Sequence, residues 1–182
     1  MRTDTKKSLP LRKSKDNSLF LNELTDKKAM RLLKEAVQAS KQAKYPNVPN
    51  YALTISKYDD SSTNGLTKCI IDFLNSQNYC HAERISNEGV MRKDNKGNAF
   101  LATSSMQNGK ADISATIHGR SVKIEVKIGN DKQSQDQKEY QNQIENAKGY
   151  YLIIKDFETF LTWFLDKMDV IKAKKGGESE KG

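Results

Sequence analysis

Residues 109–129 read GKADISATIHGRSVKIEVKIG, with polar and apolar side chains alternating on both sides of His118-Gly119. Alternation with a period of two predicts two β-strands, each with one buried face. His118-Gly119 suits a two-residue hairpin turn, because glycine accepts a positive φ at the second turn position. This stretch therefore predicts an antiparallel hairpin, around which the rest of the fold is arranged.

The turn sets the register of the hairpin and so decides which side chains face each other. Counting outward from the turn, Ile113 pairs with Ile124, and the next pair is Asp112 with Glu125, with Cβ atoms about 5 Å apart. Lys127 follows on the same polar face, two residues further on. The apolar face consists of Ile113, Ala115, Ile117, Val122, Ile124, Val126 and Ile128.

The facing carboxylates of Asp112 and Glu125 repel each other, so the pair costs stability unless a cation lies between them. Oxygen ligands of this kind suit Mg²⁺ or Mn²⁺. The alternative is a solvated polar strand face with one unfavourable pair, because antiparallel sheets usually expose one side to water. The alternating pattern by itself leaves both interpretations open.

Three short motifs surround this pair: Gly109-Lys110-Ala111-Asp112-Ile113, Glu125-Val126-Lys127 and Gln137-Lys138-Glu139-Tyr140. Together they resemble the PD-(D/E)XK nuclease superfamily, in particular its VRR-NUC and Holliday-junction-resolvase-like branches. The resemblance covers roughly residues 64–163. The chain departs from the family pattern at Ala111, which stands before Asp112 where the family often has a proline. It implies an α/β restriction-endonuclease-like core, a central mixed β-sheet flanked by helices, with an extra N-terminal helix in this chain.

The resemblance implies a Mg²⁺-dependent endonuclease that hydrolyses DNA phosphodiester bonds, with branched or junction DNA in replication, repair or recombination as one substrate class. Asp112 and Glu125 would hold the metal with help from the Val126 carbonyl, and Mn²⁺ could substitute for Mg²⁺. Lys127 would stabilise negative charge in the transition state. Gln137 would orient the catalytic groups or the attacking water.

Gln137 also has a purely structural explanation. Ser134-Gln135-Asp136-Gln137 matches a helix capping box, at the start of a helix predicted over residues 134–148 that ends before Gly149. The helical stripe that contains Gln137 and Ile144 must face the sheet, which would bring Gln137 close to the carboxylates. Capping and a functional role are both open at this stage.

The first core helix is predicted over residues 64–76 from the helical spacing of its apolar side chains. In the resembling nucleases this helix often carries a glutamate that assists the metal. The matching position here holds Thr67, so either the metal has fewer protein ligands or another acid, such as Glu83, replaces the glutamate. An ordinary surface carboxylate is the alternative explanation of Glu83.

Three basic residues around the hairpin are candidates for binding nucleic-acid phosphates: Arg84, Lys110 and Arg120. Arginine favours bidentate contacts with phosphate, although a surface salt bridge explains Arg84 equally well. The chain carries 31 Lys and Arg against 23 Asp and Glu, a net charge of +8. A basic protein favours a polyanionic partner such as DNA.

A length of 182 residues predicts one domain with appendages. We expect a flexible basic arm over residues 1–24, an N-terminal helix with its linker over 25–63, the nuclease core over 64–168 and a disordered tail over 169–182. The N-terminal helix lies outside the family resemblance. It could be an addition to the core, a dimer element or a partner-binding helix.

Several classes of protein are disfavoured by composition. No run approaches the about 18 consecutive apolar residues of a membrane span, and the N-terminus lacks the apolar segment of a secretory signal. Cys69 and Cys80 form no CxxC pair, which predicts reduced thiols and a cytoplasmic, reducing location. His81 and His118 are too few for a zinc site.

Two functions from other classes also fit the sequence. A noncatalytic DNA-binding module that retains the nuclease fold needs the basic surface but not the acidic pair. A protein-interaction subunit would use the helix over residues 25–44, and its binding would resist salt, whereas phosphate-driven binding weakens steeply. If the substrate is a junction, a symmetric homodimer is expected, because two strands must be cut.

Overall fold

The structure is a computed structural model that describes residues 24–85, 90–102 and 109–178. The helices are α1 (Asp26–Lys44), α2 (Thr63–Ser76), α3 (Gln135–Asn146) and α4 (Phe157–Glu178), with a 3₁₀ turn at Asn50–Ala52. The strands are β1 (Cys80–Arg84), β2 (Val90–Lys93), β3 (Ala99–Ala102), β4 (Ile113–Ile117), β5 (Arg120–Val126) and β6 (Tyr150–Ile154). The predicted basic arm, apart from Leu24, lies outside the described residues.

The strands form a four-stranded sheet in the order β1-β4-β5-β6 and a separate two-stranded sheet of β2 and β3. β4 is antiparallel to both β1 and β5, whereas β6 runs parallel to β5. The parallel pairing follows from the connection through α3, because a strand–helix–strand unit returns the chain to the same end of the sheet. The predicted α/β class, with a central mixed sheet flanked by helices, is confirmed.

The hairpin register is confirmed through the whole ladder. Ile117 pairs with Arg120 and Ile113 with Ile124. The turn has φ of 48° at His118 and 81° at Gly119, the double positive φ that two-residue hairpins with a matching strand twist require. The ladder ends at Ile113, one position before the predicted pairing of Asp112 with Glu125.

The apolar face of the hairpin lies in one large core together with α1, α2 and α4. Phe73 of α2 is fully buried at the centre of this core. Its ring meets Phe157, Phe160 and Phe164 of α4 edge to face, with centroids 5.7, 6.1 and 5.2 Å away. The two helices are therefore fixed against each other by aromatic packing, which adds to the burial of apolar area.

The N-terminal helix α1 is an addition to the core, the first of the three roles that its sequence leaves open. Ala29, Leu33, Ala36 and Val37 are buried along one stripe, and the helix packs against both α2 and α4. Because this stripe is covered within the chain, it is not available to a partner protein. Residues 25–44 therefore share one hydrophobic core with the predicted nuclease domain.

Between β1 and β4, Val90–Lys93 pairs with Ala99–Ala102 as a second antiparallel hairpin. The Asp94 carboxylate accepts hydrogen bonds from the N–H groups of Lys96 and Asn98 and so tightens the turn between these strands.

Helix α4 continues to Glu178, past residue 168, where the predicted disordered tail was expected to begin. The segment contains three Lys and one Ala, which are good helix formers, before Gly176 and Gly177. Residues 179–182 lie outside the described part of the chain. Within that part, no helix combines the length and the hydropathy that crossing a membrane requires.

Helix α3 covers the other face of the sheet, the face that the sequence pattern predicts to be polar. Tyr140 and Ile144 of this helix pack with Tyr151 of β6 and with Ala111 in a second, smaller apolar cluster. Gly109 approaches the start of the helix closely, with φ of +73°. As a result, α3 shields the carboxyl end of β5 from solvent.

Candidate metal centre

Asp112 and Glu125 meet at one edge of the sheet, because Asp112 immediately precedes β4 and Glu125 lies near the end of the antiparallel strand β5. The Asp112 carboxylate accepts a hydrogen bond from the Val126 N–H at 2.8 Å. The Asp112 carbonyl accepts another from the Ile85 N–H, also at 2.8 Å. The Asp112 side chain thus takes the place of a backbone hydrogen bond that would continue the β4–β5 ladder at Val126. The Asp112 carbonyl links the same residue to Ile85, just after β1.

Glu125 is the most deeply buried acid of the described residues, with 2% of its surface exposed. Its Oε1 atom lies 3.0 Å from the Lys127 Nζ atom and accepts a hydrogen bond from the Gln137 side chain. Its Oε2 atom is also buried, but it makes no hydrogen bond. One carboxylate oxygen is thus fully engaged while the other lacks any partner.

Burial raises the pKa of Glu125, and the nearby charge of Asp112 raises it further. The hydrogen bonds from Lys127 and Gln137 act in the opposite direction without cancelling the rise. Burial is thus the larger cause of the raised pKa, and repulsion by Asp112 adds to it. A positive charge beside Glu125 would stabilise its ionised form.

Lys127 is also buried, with 6% of its surface exposed. Its Nζ atom contacts Glu125 Oε1 at 3.0 Å and Asp131 Oδ2 at 3.2 Å. Burial alone lowers the pKa of Lys127, but the hydrogen bonds and charges of Glu125 and Asp131 outweigh it, so that the pKa is raised. Lys127 therefore remains a fixed positive charge at neutral pH.

Gln137 completes the predicted capping box and also contacts Glu125. Its Oε1 atom accepts a hydrogen bond from the Ser134 N–H at 2.9 Å, and its own N–H donates to Ser134 Oγ at 3.2 Å, which completes the capping box. Its Nε2 atom meanwhile donates to Glu125. The helix cap is therefore what positions the amide against the carboxylate.

Replacing Gln137 with Glu should separate these two roles. Glutamate is equally suited to a capping box, but it cannot donate to Glu125 and adds a third negative charge. If the site hydrolyses DNA, as the motif resemblance implies, the cleavage rate should fall by at least about tenfold, the equivalent of one lost hydrogen bond to a charged group. Steady-state cleavage assays measure this loss.

Ser134→Ala is the matched control, because it removes the Ser134 Oγ acceptor of the cap but keeps the backbone N–H that holds Gln137 Oε1. It should lower the free energy of unfolding by about 1 kcal/mol and leave cleavage close to that of the wild type. Equal cleavage by Gln137→Glu and wild type would contradict a role of Gln137 in the site.

The carboxylate pair fits a small divalent cation. The unpartnered Oε2 atom of Glu125 is a buried acceptor without a donor, a state that bound ions commonly relieve. Mg²⁺ retains several water ligands and is often held by only one or two carboxylates. Among the described residues, no third His, Cys, Asp or Glu joins the pair.

Neither residue considered for the third acid supplies one. Thr67 lies in α2 with 2% of its surface exposed, and its hydroxyl has no partner. Glu83 is exposed and lies opposite Ser114. Burial lowers the pKa of Lys123, and the negative charge of Glu83 partly offsets this shift.

The structure brings two of the three basic candidates to the carboxylate end of the sheet. Arg84 lies opposite Ile113, the neighbour of Asp112, and donates to the Asn64 side chain at 2.8 Å. Lys110 precedes Asp112 by two residues, and its charge contributes to the lowered pKa of Lys123.

Arg120 is exposed at the hairpin turn, at the opposite end of β5. Five residues of strand separate it from Glu125, a distance of about 17 Å at the usual rise per residue. The structure therefore does not bring Arg120 to the carboxylates.

Two residues near the carboxylates had no role in the sequence prediction. Asp131 pairs with Lys127 across a turn in which the Asp131 N–H donates to the Ile128 carbonyl. Lys123 is half-buried and donates to Ser114 Oγ at 2.6 Å. Its position on the polar face of β5 was visible in the alternation, whereas no periodic pattern marks Asp131, because it lies in an irregular turn.

Comparison with known proteins identifies no relative: no protein-family model matches the chain, and neither curated proteins nor solved structures give a significant match. The function therefore has to be inferred from the geometry of this site.

Proposed function

We propose that this protein is a metal-dependent deoxyribonuclease of the PD-(D/E)XK type that hydrolyses phosphodiester bonds in DNA. One observation carries the proposal: a buried glutamate with an unpartnered oxygen lies beside a second carboxylate, a buried lysine and a helix-capped glutamine. The strand order and the helices on both faces of the sheet are compatible with the restriction-endonuclease-like core that the motifs suggest.

Asp112 and Glu125 would hold Mg²⁺ or Mn²⁺, with the Val126 carbonyl as a further oxygen. When bound, such a cation polarises the scissile phosphate and lowers the pKa of a water molecule. Gln137 keeps Glu125 in one orientation through its hydrogen bond. The protein thereby holds its ligands ready before the cation arrives, which reduces the reorganisation needed for catalysis.

Lys127 would act as an electrostatic group, because its raised pKa keeps it protonated. A protonated lysine cannot accept the proton of an attacking water. It can instead stabilise the negative charge that develops on the phosphate oxygens. Asp131 fixes the direction of the ammonium group from the solvent side.

An open cleft beside this site offers a path for the phosphate backbone. Its volume is about 540 Å³, and its lining includes Lys132 and Lys155. Both lysines are exposed, and they lie on the chain segments that follow β5 and β6. Together with the net charge of +8, they support a polyanionic substrate.

The proposal extends to branched or junction DNA as a substrate class, in repair or recombination, and to a homodimer if two strands are cut. A reducing, cytoplasmic location fits Cys69 and Cys80, neither of which forms a disulfide in the structure. Cleavage assays on a panel of junctions, flaps, single strands and duplexes identify the substrate class.

Removal of divalent cations should abolish the activity. The protein with Mg²⁺ or Mn²⁺ is expected to convert supercoiled plasmid to nicked and linear forms, whereas excess EDTA should prevent this. Gel electrophoresis of the plasmid measures the outcome. If no DNA substrate in the panel is cleaved with either cation, the proposed function is wrong.

A noncatalytic DNA-binding module is the second candidate. Two observations favour it. Lys127 is already paired with Glu125 and Asp131. Thr67 also stands at the position where the resembling nucleases carry a third acid. Such a module would bind DNA equally well with Mg²⁺ and with EDTA and would cleave none. Binding and nicking measured on one preparation distinguish the two functions.

A further inference from the structure

Lys123 lies on the polar face of the hairpin, next to the carboxylate pair. It stands two positions before Glu125 on β5, and its cross-strand partner Ser114 stands two positions after Asp112. Because side chains two residues apart share one face of a strand, the Ser114–Lys123 pair lies about 7 Å from the carboxylates on the same face. A strand of substrate that crosses the carboxylates can therefore also reach Lys123.

The Lys123 ammonium group is directed toward β4 and is accessible. Its Nζ atom lies 2.6 Å from Ser114 Oγ, on the side away from β6, the strand that α3 contacts. Glu83 of β1, which pairs with Ser114, and Thr116 of β4 are both exposed. Lys123 itself is only half-buried. This part of the polar face is thus open to a ligand from solvent.

The charge of Lys123 has no carboxylate at ion-pair distance within the described part of the chain. Its hydrogen bond goes to a neutral hydroxyl, whereas the buried Lys127 contacts two carboxylates. Burial lowers the pKa of Lys123, Glu83 partly offsets this shift, and the positive charge of Lys110 lowers the pKa further. Burying an ammonium group without a charged partner is unfavourable. An anion beside Lys123 and Lys110 would offset both the burial and the repulsion.

We propose that Lys123, supported by Lys110, binds a phosphate of the DNA backbone one or two nucleotides away from the phosphate that is cleaved. This role rests on the proposed nuclease function, in which the scissile phosphate lies at the carboxylate pair. DNA advances about 3.4 Å per nucleotide along its axis, which matches the separation of Lys123 from that pair.

The position of Lys123 also gives the substrate strand a direction. Lys132 and Lys155 of the open cleft follow the ends of β5 and β6, whereas Lys123 precedes Glu125 on β5. The carboxylates therefore lie between two basic sites along β5. The DNA strand runs from the cleft, across the carboxylates, onto the polar face of the hairpin.

Lys123→Gln tests this contact, with Lys34→Gln as the matched control. Lys34 is an exposed lysine of α1, the helix that packs on the apolar face of the hairpin, so both variants remove one positive charge. Fluorescence anisotropy with Ca²⁺ in place of Mg²⁺ measures binding of the best-cleaved DNA of the panel, or of duplex DNA if none is cleaved. Lys123→Gln should raise Kd about tenfold, the loss of one charged hydrogen bond. The slope of log Kd against log salt should fall by about one.

The kcat of Lys123→Gln at saturating DNA should stay within about twofold of the wild type, because a remote phosphate contact is the same in the ground state and the transition state. Lys123→Arg, which keeps the charge, should restore the affinity. Lys34→Gln should match the wild type in Kd and in salt slope.

Glu83→Gln should act in the opposite direction. It removes a negative charge that repels the phosphate and should lower Kd about twofold, the size of an exposed charge effect. If Lys123 serves only to offset the charge of Glu83, neither variant changes DNA binding, and the proposed contact is wrong. If Lys123→Gln does not fold, the exposed Glu83 decides: tighter binding by Glu83→Gln supports the contact, and unchanged binding overturns it.

Equal Kd and equal salt slope for Lys123→Gln and a wild type that cleaves DNA overturn the role of Lys123 alone. The same holds if Lys34→Gln loses as much affinity as Lys123→Gln, because net charge then explains the effect. A wild type that binds DNA through Lys123 but cleaves none keeps the phosphate contact and overturns the nuclease function. A wild type that neither binds nor cleaves DNA overturns both.

Discussion

Glu125→Gln is expected to reduce Mg²⁺-dependent DNA cleavage by about 10²–10³-fold while DNA binding stays close to that of the wild type. The substitution keeps the size of the side chain and an oxygen that can accept hydrogen bonds from Lys127 and Gln137. It removes the negative charge that would hold the cation. Asp112→Asn, which can still accept the Val126 N–H, and Lys127→Ala should give similar losses.

Glu139→Gln is the control for this series, because Glu139 is an exposed acid of α3 that accepts a hydrogen bond only from Gln135 within the same helix. It should cleave at the wild-type rate. Single-turnover cleavage and fluorescence anisotropy with labelled DNA separate chemistry from binding. If Glu125→Gln cleaves DNA within about threefold of the wild-type rate, the loss is much smaller than that expected for a metal ligand. This result would exclude the proposed mechanism.

Gly109→Ala is expected to lower the free energy of unfolding by about 3 kcal/mol or more, the range of severe backbone and packing defects. A Cβ atom at this position would lie closer than 3.0 Å to backbone atoms of Asp136 and Gln137. The φ of +73° adds conformational strain for any residue with a Cβ. The clash can be relieved only by moving α3 away from the sheet, and the strain would remain even then.

Gly119→Ala separates the steric clash from the strain. Gly119 has a φ of +81°, but a Cβ atom there would meet no atom within 4 Å. It should therefore cost only the strain, about 1 kcal/mol. Urea unfolding compares the two variants. Equal losses would mean that the contact between Gly109 and α3 contributes nothing to stability.

The hairpin was the part of the fold that the sequence predicted best. Alternation with a period of two and one turn dipeptide predicted every pair from Ile117–Arg120 to Ile113–Ile124. These signals are local, because a turn type fixes the register of its two strands. Helices α1, α2 and α3 were likewise predicted close to their observed bounds, since each carries an apolar stripe at helical spacing.

The burial of Glu125 and Lys127 could not be predicted, although both residues were identified as site candidates. Alternation predicts which side chains share a face, but it does not predict what covers that face. Glu125 is buried because α3 packs over the polar side of the sheet, through contacts between Tyr140 and Tyr151. Tertiary packing of this kind joins residues that are far apart in sequence and leaves no periodic signal.

Asp131 was missed for the same reason. It lies in an irregular turn, which no periodic pattern marks. Only one of the two contacts of Gln137 could be derived from the sequence with its geometry. The capping box was evident in the sequence, but the direction of the remaining amide N–H depends on where α3 rests on the sheet.

The packing of α1 against α4 has a consequence for how the protein folds. The N-terminal helix completes its core contacts only when the last helix of this sequence is present. Contacts between distant parts of a chain carry a large loop-closure cost and slow folding. During synthesis, the apolar stripe of α1 would leave the ribosome long before its partner helix. The nascent chain would therefore expose this stripe until α4 emerges, a state that favours aggregation.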